Sequence, residues 1–212
     1  MFVELVGALR CVRPHEATWL VASAYRMEQR DIVSGELGCP VCDARYSIEY
    51  GVADFRDGQR GIPRAPAAVD AGRDMALRAA ALLDLTTPGG VIVLAGIWAA
   101  AAHAIGAITE QIHVLGLDAP SDIESGEGVS LMLTAGQLPL RPFTVRGVAL
   151  DAAHASADYL AAAVAALNPN GRLLAPVETP RPPGVEELAR DDQCWLAART
   201  HVITVPLARR DA

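Results

Sequence analysis

The stretch Pro88-Gly-Gly-Val-Ile-Val-Leu-Ala-Gly96 decides the reading of this chain. Pro88, Gly89 and Gly90 form a turn signal, five apolar residues follow, and Gly96 closes the run. Polar alternation is missing from Val91–Ala95, which is how a strand reads when helices cover both faces of a parallel sheet. A helical stretch, Asp74–Leu85, precedes it, and the Ala-rich stretch Trp98–Thr109 follows as an expected helix. Helix, turn, buried strand, glycine and helix open a nucleotide-binding α/β unit. Val91–Ala95 is therefore expected to be the first and central strand of a Rossmann-like sheet.

Downstream the same rhythm repeats. Ile112–Leu117, Val129–Thr134, Thr144–Leu150 and Arg172–Val177 read as further strands, and Ala152–Leu167 as an amphipathic helix closed by Asn168-Pro-Asn-Gly171. Cys194–Ala198 and His201–Leu207, separated only by Arg199-Thr200, suggest a closing hairpin. Strands alternating with helices imply an α/β fold with a mostly parallel sheet, and the hairpin adds antiparallel strands at one edge. Cys194 reads as a buried apolar residue.

Upstream the character changes. Residues 1–58 read as a small β-rich module: Val3–Leu9 and Trp19–Ala24 are strand-like, Arg26–Ile32 leads to a turn at Ser34-Gly35, and Ala44–Val52 alternates as a β-ribbon. Residues 59–69, punctuated by Gly61, Pro63 and Pro66, read as a linker, and 70–212 as the Rossmann-like domain. Within the first module Cys39-Pro-Val-Cys42 is a metal-binding knuckle, with Cys11-x-x-x-His15 as the other. Zinc is the expected ion. A redox pair would need a βαβ setting that is missing here, and His15 is either the fourth ligand or an exposed loop histidine.

Composition bounds the function. The chain has 212 residues, 51% of them hydrophobic, enough for a substantial core. Its net charge of -7, with arginine as its only fixed cation type, makes it a poor candidate for unaided binding to a nucleic-acid backbone. No apolar run reaches membrane-spanning length, and the start of the chain has neither the positive region nor the cleavage site of a signal peptide. A cytoplasmic protein is expected, in which clustered cysteines point to metal rather than disulfides.

Two resemblances sharpen this reading. Leu9-Arg-Cys11, Gly35-Glu-Leu-Gly-Cys39-Pro-Val-Cys42-Asp-Ala-Arg-Tyr46-Ser-Ile48 and Gly51-Val-Ala-Asp-Phe55 resemble the small zinc-ribbon family that activates tRNA and protein methyltransferases. The departure is His15, where that family usually has a second cysteine. Leu82-Leu-Asp-Leu-Thr-Thr-Pro-Gly-Gly90, Leu138-Pro-Leu and Ala166-Leu-Asn-Pro-Asn-Gly-Arg-Leu173 resemble class I S-adenosylmethionine-dependent methyltransferases, whose sheet ends in a hairpin.

The second resemblance implies a donor site. Its first loop should be glycine-rich to admit the amino-acid part of S-adenosylmethionine, but here Gly96 is followed by Ile97, Trp98 and alanines. Asp118, 22 residues after Gly96, stands where an acid would bind the ribose, close to the ~20 of dinucleotide folds; alternatively it is a solvated turn residue. No acid follows the third strand to meet the adenine, and Gln137 offers only an amide. Asp151-x-x-His154 is either an acid–base pair or a helix cap. The cofactor-binding set is thus Gly96, Trp98, Asp118 and Gln137, with S-adenosylmethionine binding expected to be weak or absent. The expectation is a non-catalytic binding or assembly module with a protein partner or a second copy of itself. The alternative is an active methyltransferase. A dehydrogenase fits less well, given the single glycine and the terminal hairpin.

Overall fold

The computed structural model describes residues 1–64 and 72–200. Four strands come first: β1 (Val21–Glu28), β2 (Asp31–Gly38), β3 (Arg45–Glu49) and β4 (Val52–Asp54). Helix α1 (Gly72–Leu82) leads to β5 (Val91–Ala95), and a 3-10 turn over Gly96–Ala101 runs into α2 (Ala102–Ile108). Then come β6 (His113–Leu117), β7 (Val129–Leu133), β8 (Val145–Ala149), α3 (Ala157–Ala166), β9 (Leu167–Pro176), β10 (Val185–Arg190) and β11 (Cys194–Arg199).

The described strands form one sheet in the order β1-β2-β3-β4-β7-β6-β5-β8-β9-β11-β10. Strands β7, β6, β5, β8 and β9 are mutually parallel, with β5 in their middle. Strands β1 to β4 are an antiparallel meander that joins this block through the parallel pair β4–β7, with Val52 opposite Leu131. At the far edge β11 runs antiparallel to both β9 and β10. The protein is thus α/β, with the central parallel strand where Val91–Ala95 was expected.

The apolar runs follow from coverage on both faces. Ile92 and Leu94 pack with Ala76, Ala79 and Ile105 of α1 and α2. Val93 and Ala95 face the other way, into a core shared with Leu160 and Ala163 of α3 and with Leu37, Tyr46, Ile48 and Phe55 of the N-terminal strands. Fully burying one such Leu or Ile contributes about 1.5–3 kcal/mol, so polar alternation would be costly here.

Several local expectations are corrected. Val3–Leu9 is not a strand: Val3–Ala8 is a 3-10 helix, and the buried positions Met1, Leu5 and Leu9 are spaced by four, which suits a helical face and not period two. The turn expected at Ser34-Gly35 lies at Gln29-Arg30 instead, where Gln29 has φ 53°, and β2 runs straight through Gly35. That glycine serves close strand approach, since a Cβ there would lie 2.5 Å from the Ser23 carbonyl oxygen. The helix expected over Trp98–Thr109 is present, as a 3-10 helix through Ala101 and an α-helix from Ala102 to Ile108. Asn168–Gly171 lies within β9, at a register shift against β8, rather than closing the helix before a strand. Residues 65–69 of the expected linker and the strand His201–Leu207 lie outside the described residues. Among the described residues the hairpin partner of β11 is Val185–Arg190, a segment without a strand assignment from sequence.

Candidate functional site

The carboxyl ends of β5, β6, β7 and β8 converge on one crevice, and each contributes to a single buried network. Asp118 follows β6 and is only 1% exposed. Its carboxylate accepts from the Thr134 backbone N–H at 2.9 Å and from the Thr134 hydroxyl at 2.5 Å, just after β7. His154 comes from the 3-10 turn after β8 and is equally buried. Its Nε2 lies 3.1 Å from Asp118 Oδ2 and its Nδ1 2.6 Å from Asp151 Oδ1. Asp151 in turn accepts from the Ile97 backbone N–H at 3.1 Å, in the loop after β5. The edge of the Tyr159 ring packs on the imidazole at 5.5 Å between centroids.

Gly96 has φ 57° and sits against this network: a Cβ there would lie 1.8 Å from Asp151 Oδ2. Its freedom therefore lets the backbone close on a carboxylate of the same chain. Of the residues expected to bind the donor, Gly96 and Asp118 are brought together around His154 and Asp151. Gln137 stands apart as an exposed loop residue, and Trp98 is half-buried beside a neighbouring cavity. Asp118 is not a solvated turn residue, because Thr134 and His154 draw its carboxylate inward. Asp151 does cap the turn that follows it, accepting from the His154 backbone N–H at 3.2 Å, while also binding the same residue's ring.

Electrostatics hold the His154–Asp151 pair charged. Burial pushes the His154 pKa down, but hydrogen bonds to Asp118 and Asp151 outweigh it and lift the pKa to about 9. Burial also works against ionising Asp151, yet the His154 contact and the backbone donors hold its pKa below the usual carboxylate range. The His154 value is raised above the unfolded ~6.5. Its stabilisation is therefore fully present below about pH 6.5 and lost as pH rises through about 9. Asp151 acts with the opposite sign, its contribution being lost as pH falls through its depressed folded value. Thermal melts between pH 6 and 10 should show a falling midpoint from about pH 7 upward; the fall should be smaller in His154→Leu.

A second cluster lies in the N-terminal meander. Cys11, His15, Cys39 and Cys42 bring one ligand atom each within 4.8 Å of the others. Cys11 Sγ and Cys42 Sγ are 3.6 Å apart, and Cys39 Sγ is 3.4 Å from His15 Nε2. A tetrahedral zinc with bonds of ~2.3 Å to sulfur spaces its sulfurs at about 3.8 Å, so this cluster is compatible with zinc. His15 thus joins the other three as a possible fourth ligand. The Nδ1 atom of His15 lies 2.6 Å from the Glu16 carbonyl, which fixes Nε2 as the metal-facing nitrogen when Nδ1 carries the proton. Burial pushes the Cys39 thiol up, but backbone donors of Cys42 and Val41 outweigh it and hold its pKa at about 7. The Tyr46 hydroxyl lies 3.1 Å from Cys11 Sγ, and the Tyr46 ring stacks on Phe55.

Sequence reasoning did not find Thr134, and it linked His154 only to Asp151. The one signal was the i,i+3 spacing of Asp151 and His154; the Asp118 and Thr134 contacts depend on strand order.

Comparison with known proteins bears on the fold alone. Neither a protein-family model nor a curated protein matches the sequence. Several solved structures are similar to part of the chain in three dimensions. One is a chain of the Haloferax volcanii complex between the Trm112 methyltransferase activator and a candidate methyltransferase: 14% identity, TM-score 0.43, covering 64% of this chain and 96% of that one. A Geobacter sulfurreducens methyltransferase has 16% identity and TM-score 0.40, covering 64% and 81%. An S-adenosylmethionine methyltransferase from Silicibacter pomeroyi has 16% identity and TM-score 0.41, covering 61% and 94%. The strand order, with β5 central and an antiparallel hairpin at one edge, makes this a methyltransferase-like α/β fold.

Proposed function

We propose that this chain is a methyltransferase-like protein whose donor crevice is closed from within, fused to a zinc ribbon, and that it works as a non-catalytic binding or assembly module. The observation that carries this is the Asp118–His154–Asp151 network. A donor's ribose needs the Asp118 carboxylate, but that group is buried and engaged by Thr134 and His154. The donor's amino-acid part needs the Gly96 backbone, which is packed against Asp151. Opening the site would strand two carboxylates and an imidazolium, and breaking a buried ion pair costs about 3–5 kcal/mol. That cost comes off any ligand's affinity, and each ~1.4 kcal/mol is tenfold.

The Cys11, His15, Cys39 and Cys42 cluster supports one structural zinc, with no open position for chemistry when all four bind. Thiolate ligands suit a reducing, cytoplasmic setting. Among the described residues no helix is long and apolar enough to cross a membrane. The partner in this reading is another protein or a second copy of the chain, since an acidic chain is poorly suited to nucleic acid.

The test is calorimetric titration of the zinc-loaded protein with S-adenosylmethionine and its demethylated product. Neither should saturate below the millimolar range. Micromolar binding of either would restore the active-enzyme reading.

A further inference from the structure

Beside the closed crevice, on the face covered by α1, lies a cavity of about 540 Å³. Its apolar wall is Met75, Ile97, Trp98, Leu150, Ala152 and Pro176. The size is within the range of small-molecule sites, and so is the pattern of apolar lining with a few polar groups. The polar groups are Asp74, Arg78, Asp151, Gln193 and Cys194, and their partners decide what the cavity would accept.

Arg78 is committed elsewhere. Its guanidinium donates to Asp191 at 2.7 Å, to Gln193 at 2.6 Å and to Cys194 Sγ at 3.3 Å. Asp151 is held by His154 and the Ile97 N–H. Asp74 is exposed and forms no ion pair among the described residues. Asp74 is therefore the unbalanced charge facing the cavity, and Trp98 offers an aromatic surface on which a ligand ring can stack. The same field repels an anionic group.

We propose that this cavity binds a small planar aromatic amine in its ammonium form, with the ring on the apolar wall and Trp98, and the charge toward Asp74. The cavity borders the donor crevice and shares Asp151 with it, but neither Asp118 nor Gly96 lines it. S-adenosylmethionine is a poorer fit because its α-carboxylate meets the negative field. The inference goes beyond the non-catalytic reading and does not depend on it.

Calorimetry on the full, zinc-loaded chain tests it, using tryptamine against indole-3-propionate, which carries a similar ring and the opposite charge. Tryptamine should bind at least about tenfold more tightly. Asp74→Asn should reduce that preference to about twofold, and Trp98→Leu should weaken tryptamine by about tenfold or more. Thermal melts of both variants confirm folding, and Asp74→Asn, at an exposed position, serves as the arm independent of any packing defect in Trp98→Leu. Equal binding of the two probes, no binding of tryptamine, or a charge preference that survives Asp74→Asn would overturn the proposal. S-adenosylmethionine binding in the same titrations would overturn the closed-crevice reading alone, so the two failures are distinguishable.

Discussion

His154→Ala is expected to destabilise the protein by roughly 3–5 kcal/mol, the usual cost of removing one partner from a buried ion pair. The imidazole lies between Asp118 and Asp151, and its loss leaves Asp118 buried with the Thr134 donors as its only neighbours in the network. A domain has only about 5–15 kcal/mol in total, so the variant should lie near its unfolding threshold at 37 °C. Denaturant unfolding reads this as a lower midpoint. The triple replacement Asp118→Asn, His154→Leu and Asp151→Asn should recover much of the loss, because it removes the unpaired charges along with the pair. A shift below about 1 kcal/mol in His154→Ala would mean that the network does not hold the crevice shut.

Zinc removal should have the other large effect. Structural zinc contributes on the order of 10 kcal/mol of apparent binding free energy, all of it available to folding. The meander it would tie together is small: β3 and β4 have five and three residues, and the Tyr46–Phe55 stack lies directly beneath Cys11. Purified protein is expected to contain about one zinc per chain. Chelation or Cys39→Ser should raise hydrogen exchange throughout residues 1–55 while β5, β6 and β8 stay better protected, since α1 and α2 still cover one face of the parallel strands and α3 part of the other. Protein purified without chelators and free of zinc would contradict this.

The parallel strands were legible because double coverage leaves a run such as Val91–Ala95 with no polar residue. The knuckle was legible because ligand spacing within a turn is local. Strand β10 was not: its residues, Val185-Glu-Glu-Leu-Ala-Arg190, are largely exposed at a sheet edge, so burial leaves little periodicity in them. Leu5 and Leu9 misled in the opposite direction, an apolar stretch too short for periodicity to separate a strand from a helical turn. The crevice network needed the fold itself. Asp118, Thr134 and His154 come from the ends of three different strands, and only the β7-β6-β5-β8 order brings them together.

In the proposed reading a charged His154 fills the place of a methyl donor. Nitrogen-15 NMR of the His154 imidazole, followed across pH with and without millimolar S-adenosylmethionine, tests it directly. The expected result is an imidazolium protonated on both nitrogens at pH 7, titrating near 9 and indifferent to the donor. A His154 that titrates near the unperturbed ~6.5, or whose signals move as S-adenosylmethionine is added, would show an open crevice and contradict it.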